Sequence, residues 1–168
     1  MVKESITRRL RYIYLRLTRL RGHPHELALG MALGIFAGML PIIPFHALVA
    51  VALALAFSAS KITAAAGSLI CNPVTIYPVY RYAYELGSFI LGFDRNAEML
   101  SPVIETIRNE EFLHMITAIL SAGGKVAAAF LMGGFTLGII WAVPSYFIFH
   151  YFLKAFIAWR KSRKLIKA

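Results

Sequence analysis

Acidic side chains are scarce: 8 Asp+Glu stand against 18 Lys+Arg in 168 residues, a formal net charge of +10. Charged residues of both signs make up only 15% of the chain, whereas hydrophobic ones reach 59%. Soluble domains carry about 25% charged and about 45–50% apolar residues. With a mean hydropathy of +0.66, disorder is excluded and a free-standing soluble globule is disfavoured. Cysteine is nearly absent. Cys71 alone permits no intrachain disulfide and no thiolate cluster, and a thiol in an apolar run stays inert. There is no Gly-x-Ser-x-Gly elbow, no Walker loop, no His-Glu-x-x-His and no Asp-rich metal motif. The five histidines offer no ligand spacing beyond His23-x-His25, which reads as a surface pair in a basic segment. No enzyme, no metal and no cofactor are therefore expected.

Charge is also missing in long tracts. Leu27–Ser60 runs 34 residues without a formal charge, Ile62–Tyr80 runs 19 and Val126–Leu153 runs 28. A transmembrane helix needs about 20 apolar residues to cross a core of roughly 30 Å. The first tract is too long for one straight span and too short for two spans plus a turn. Its middle, Leu40-Pro41-Ile42-Ile43-Pro44-Phe45, carries two prolines that remove backbone donors and clash with the preceding turn. We expect half-helices over 27–40 and 45–60, forming a re-entrant hairpin tipped by Pro41 and Pro44; the competing reading is one long, tilted, proline-kinked helix. The second element repeats the plan, with an apolar stretch to Cys71, a break at Asn72-Pro73, and a helix over 74–93. Interrupted helices in succession point to a binding site at membrane depth.

The expected fold is an all-α integral membrane protein: a proline-broken re-entrant hairpin, an Asn-Pro-broken element and a C-terminal spanning helix. A basic amphipathic interfacial helix occupies 1–22, with Ile6, Leu10, Ile13, Leu17 and Leu20 at helical spacing between arginines. The membrane domain covers 23–153: hairpin 27–60, broken helix and span 62–93, outer loop and surface helix 94–125, and last span 126–153. A basic tail, 154–168, follows. Both basic ends belong on the cytoplasmic side of the inner membrane, and the acidic stretch 94–111, net −3, belongs outside. The N-terminal arginines suit anionic headgroups rather than nucleic acid. A signal peptide is excluded by the length and prolines of the first apolar tract. Gly30, Gly34 and Gly38, and Gly134 and Gly138, recur every four residues, the spacing at which helix backbones approach closely in lipid.

Three features together resemble a known family: Ala28-Leu29-Gly30-Met31-Ala32-Leu33-Gly34-Ile35-Phe36, the Leu40-Pro41…Pro44 break, and Asn72-Pro73-Val74-Thr75 followed by Tyr80. The chain is similar over roughly 5–160 to the prokaryotic membrane family labelled domain of unknown function 2062. Lys61 stands where that pattern has asparagine. Some members carry a fused glycosyltransferase-like domain, so the resemblance implies a link to lipid-linked sugars and a glycosyltransferase partner. The proline-tipped hairpin is also similar to the re-entrant hairpins of DedA-type lipid transporters.

Polar residues inside apolar tracts are costly and tend to mark function. The candidates for ligand binding are His46, Asn72, Thr75, Tyr80, Arg81 and Glu85, with Pro41, Pro44 and Pro73 as structural breaks. Arg81 and Glu85 lie one helical turn apart and can pair. Arg81 offers a fixed charge for a phosphate. The expected function is binding or translocation of an anionic amphipathic lipid, polyprenyl phosphate or phospholipid-like, between the broken helices. The alternatives are a membrane adaptor that presents its glycine faces to an envelope enzyme, or a small-solute transporter or channel built as a homo-oligomer.

Overall fold

The computed structural model describes residues 23–42, 45–71, 75–93, 115–121 and 123–165. The interfacial helix expected over 1–22, the acidic loop, Asn72, Pro44 and Pro73 lie outside those residues. The described chain is all-helical: α1 (Pro24–Met39), α2 (His46–Ala56), α3 (Lys61–Ser68), α4 (Ile76–Leu91), α5 (Met115–Ser121) and α6 (Gly124–Leu165). No strand occurs among the described residues.

Local chemistry sets the boundaries. Pro24 begins α1, where its missing donor removes nothing. After Met39, Leu40 turns extended and Pro41 cannot continue the ladder. The freed groups bond locally, Ile42 N to Leu40 O at 2.8 Å and Phe45 N to Ile42 O at 2.7 Å. Then α2 runs back, and Ser60 N donates to Glu26 O at 3.1 Å. The segment is therefore two helices folded against each other, not one kinked rod. Ser60 also caps α3 by accepting from Thr63 N, while the Thr63 hydroxyl donates to Ser60 O. Across the second break, Thr75 Oγ1 donates to Ile70 O at 2.6 Å. Pro78 is the third residue of α4, still within the turn whose donors have no helical partner, so α4 tolerates it.

Small residues decide how these helices meet. A methyl group on Gly34 would overlap the Ala64 carbonyl and stand 2.9 Å from Gly67 Cα, so backbone touches backbone where α1 crosses α3. Gly30 faces Ser60 and Thr63, and Gly38 faces Ser68 and Ile70, so α3 runs parallel to α1. A second junction is reciprocal. A methyl on Gly133 of α6 would strike the Ala83 carbonyl of α4, and one on Gly87 of α4 would strike the Ala129 carbonyl of α6. Around this junction Tyr80, Tyr84, Val126, Ala129 and Phe130 form the largest buried cluster, which Cys71 joins.

The 42 residues of α6 extend about 63 Å at 1.5 Å per residue. Its first third lies antiparallel to α4, with Lys125 over the Phe93 ring and Gly133 on Ala83. Further on it lies antiparallel to α1, with Gly134 at Met39 and Pro41, Gly138 at Phe36, and Leu153 beside Leu27 and Ala28. Thus α4 and α1 cover different stretches of α6 and overlap near Gly133 and Gly134, on different sides of it. The helix also runs past Leu153 to Leu165, through the segment the charge pattern assigns to a tail. Charge alone does not end a helix, and Lys, Arg, Ala and Leu are strong helix formers. Gly123 (φ +105°), just before α6, takes a backbone conformation that favours glycine.

Candidate functional site

The site grows from the change of partner along α6. Helix α1 covers α6 no further than Met39 and Pro41, and α4 begins at Ile76 on a different side. Between the two, Leu137 of α6, half-buried against the core cluster, and Trp141, exposed, join Thr75, Val79, Tyr82 and Glu85 from α4 and its approach. Together they line a groove of about 670 Å³, predominantly apolar and partly open along its length. That volume lies within the roughly 300–1,000 Å³ range of small-molecule sites. Met39, at the end of α1, and Ile70, just after α3, also contribute to the wall.

Charge enters at one rim. Arg81 Nε donates to Glu85 Oε1 at 3.0 Å, one helical turn apart, with the side chains 59% and 37% exposed. The spacing read from the sequence becomes a real pair. Glu85 contributes to the groove wall, and Arg81 lies on the adjoining stripe of α4.

The other candidates divide. Thr75 lines the groove while its hydroxyl is engaged by Ile70 O. Tyr80 is turned the opposite way, 1% exposed and edge-to-face with Phe130 at 5.8 Å, so it is part of the core and not of the groove. His46 is half-buried at the start of α2, away from the groove lining, and its buried Nδ1 has no hydrogen-bond partner among the described residues. Pro41 stands at the break against Gly134.

Sequence reasoning missed Val79, Tyr82, Leu137 and Trp141, because apolar residues in an apolar tract carry no signal of their own. It also missed a contact outside the groove. His25 Nδ1 and the Tyr146 hydroxyl are 2.7 Å apart, and Tyr146 stacks on His150. The histidine read as incidental thus ties the start of α1 to α6.

Fold and groove together define a class: an all-helical protein with one helix among the described residues, Gly124–Trp159, long and apolar enough to cross a membrane. The family model described as "uncharacterized protein conserved in bacteria", domain of unknown function 2062, matches residues 7–162, and the chain belongs to that family. No curated protein and no solved structure matches it.

Proposed function

We propose that the chain is a multi-pass inner-membrane protein that holds a phosphate-bearing amphipathic lipid in the groove beside Arg81. The observation that carries this reading is the apolar groove of about 670 Å³ with a single ion pair at its rim. Chains of a lipid bury against Val79, Leu137 and Trp141, and the phosphate meets Arg81, whose guanidinium has five donors and keeps some beyond those engaged by Glu85 and Tyr77.

Exposed apolar surface supports the membrane setting. Phe135, Ile139, Ile140, Phe147 and Ile148 on α6 are all exposed, as are Leu48 and Leu55 on α2, a surface that water would penalise and acyl chains would not. On this reading 27–60 is a re-entrant hairpin, both ends are cytoplasmic and 94–111 is outside. Depth is consistent with a headgroup at the rim. The uncharged tract of α6, 28 residues, is about 42 Å long against a core of about 30 Å. The level of Arg81 and Glu85 then falls less than about 8 Å inside the boundary, within reach of snorkelling side chains.

The adaptor reading loses its surface. Gly30, Gly34 and Gly38 face α3, and Gly134 and Gly138 face α1, so these faces are occupied within the chain.

Quenching by dibrominated phospholipid tests the groove. In detergent-solubilised protein with Trp159→Phe, Trp141 emission should fall saturably at a few equivalents of lipid. In the Trp141→Phe protein, Trp159 should respond only to bulk lipid content. Equal response of both tryptophans would overturn the reading.

A further inference from the structure

We propose that the preferred headgroup is zwitterionic and carries a primary amine, that is, a phosphoethanolamine-type phospholipid; this rests on the groove reading above. The rim presents both signs of charge, not one. Arg81 and Glu85 are 3.0 Å apart, both partly exposed, and only one nitrogen and one oxygen are engaged in their contact. A guanidinium has five donors and a carboxylate about four lone-pair sites, so each partner keeps capacity for a second ion. A headgroup lying across the pair sets its phosphate on Arg81 and its ammonium on Glu85, and all four charges are then compensated. This matters where water is thin, because an unpaired charge is costly there.

The wall discriminates among lipids. Glu85 lines the groove directly, and the groove wall contains no Lys or Arg. A purely anionic phosphate would bring its charge beside that carboxylate with only Arg81 to offset both. A quaternary choline ammonium has no N–H to donate to Glu85, whereas a primary ammonium has three. The pair therefore ranks ethanolamine headgroups above choline and glycerol ones, with chain contacts the same for all three.

Native mass spectrometry of the full chain, released from detergent with an equimolar mixture of phosphatidylethanolamine, phosphatidylcholine and phosphatidylglycerol of matched chains, reads the ranking. We expect ethanolamine lipid to be retained about tenfold over the other two, the size of one added hydrogen bond to a charged group. Glu85→Gln, which keeps shape and removes charge, should bring the ethanolamine-to-choline ratio close to one while choline lipid still binds. The exposed i,i+4 pair adds little to folding, and unchanged circular dichroism and elution volume would verify that the variant is intact. Equal retention of the three lipids, preference for phosphatidylglycerol, or an unchanged ratio in Glu85→Gln would each overturn the inference and leave the groove reading standing. Failure of every phospholipid to bind saturably would instead remove the groove reading and this one with it.

Discussion

Two parts of this molecule meet α6 in opposite ways. At the α4 junction, Gly87 and Gly133 bring main chain against main chain, with no space for a methyl group on either side. One turn or two away on the same helices, Val79, Tyr82, Leu137 and Trp141 line a groove, Val79 and Leu137 with one side still packed on the core cluster. Small residues thus form the scaffold and large ones shape the site. A close-packed crossing brings the two main chains together, and larger side chains beyond it line the groove. Stability should therefore depend on the glycines and binding on the groove lining, with little exchange between them.

The largest effect should come from Gly133→Ala. Its new methyl strikes the Ala83 carbonyl, which belongs to a helix and has no rotamer to change. A loss of about 3 kcal/mol or more follows, or a fall in melting temperature of roughly 6–12 °C for a chain of this size. Thermal unfolding in detergent followed by circular dichroism measures it. Gly38→Ala provides the contrast. There the methyl meets Ser68 O at 3.2 Å and Ile70 Cγ2 at 3.3 Å, so a shift of a few tenths of an ångström suffices and the expected loss is about 1 kcal/mol. Equal effects at the two positions would break the distinction between rigid crossing and adjustable edge.

The converse variant is Ile140→Trp, which adds bulk at a groove-lining position that is exposed and lies outside the core cluster. Lipid retention should drop by about tenfold, the effect of displacing a favourable apolar contact of roughly 1.4 kcal/mol, with the melting temperature of lipid-free protein changed by less than about 2 °C. A matching loss of stability would show that groove and scaffold are one unit. Cys71 sharpens the comparison from the scaffold side. It is 7% exposed in the core cluster beneath the second break, so a membrane-impermeant maleimide should leave it unmodified in native protein and label it fully in dodecyl sulfate. Rapid native labelling would mean that water reaches behind the break.

How far the sequence could be read follows the same division. Gly30, Gly34 and Gly38 form a periodic pattern on one helix, and Pro41 names its own break, so the first junction was legible from spacing. The Gly87–Gly133 junction was not, because each helix contributes one glycine and one alanine, and neither motif repeats; only the pairing of two distant segments makes it visible. Arg81 and Glu85 were legible as neighbours because helix periodicity brings residues four apart together. Tyr80, one residue before Arg81, was equally polar in sequence, yet it turns about 100° away into the core. The apolar groove lining left no trace, since hydrophobicity in an already hydrophobic tract does not say which side chains touch lipid, protein or ligand.

The smallest expected effect is at the far end of the α1–α6 contact. Glycine no longer brings the helices together there, and a side-chain hydrogen bond between His25 and Tyr146 takes over. Tyr146→Phe removes that bond while keeping the ring that stacks on His150 and meets His25 edge-on. Because the pair is exposed and both residues can turn to water, the net loss should be about 0.5–1 kcal/mol, within about 4 °C of melting temperature. Local opening is the more sensitive readout. Amide exchange over 24–28 should quicken several-fold, since the start of α1 loses its tie to α6, whereas exchange over 83–87, clamped by Gly133, should not change. If 83–87 quickens equally, the two ends of α6 are not separate units and main-chain contact at one end is coupled to side-chain contact at the other.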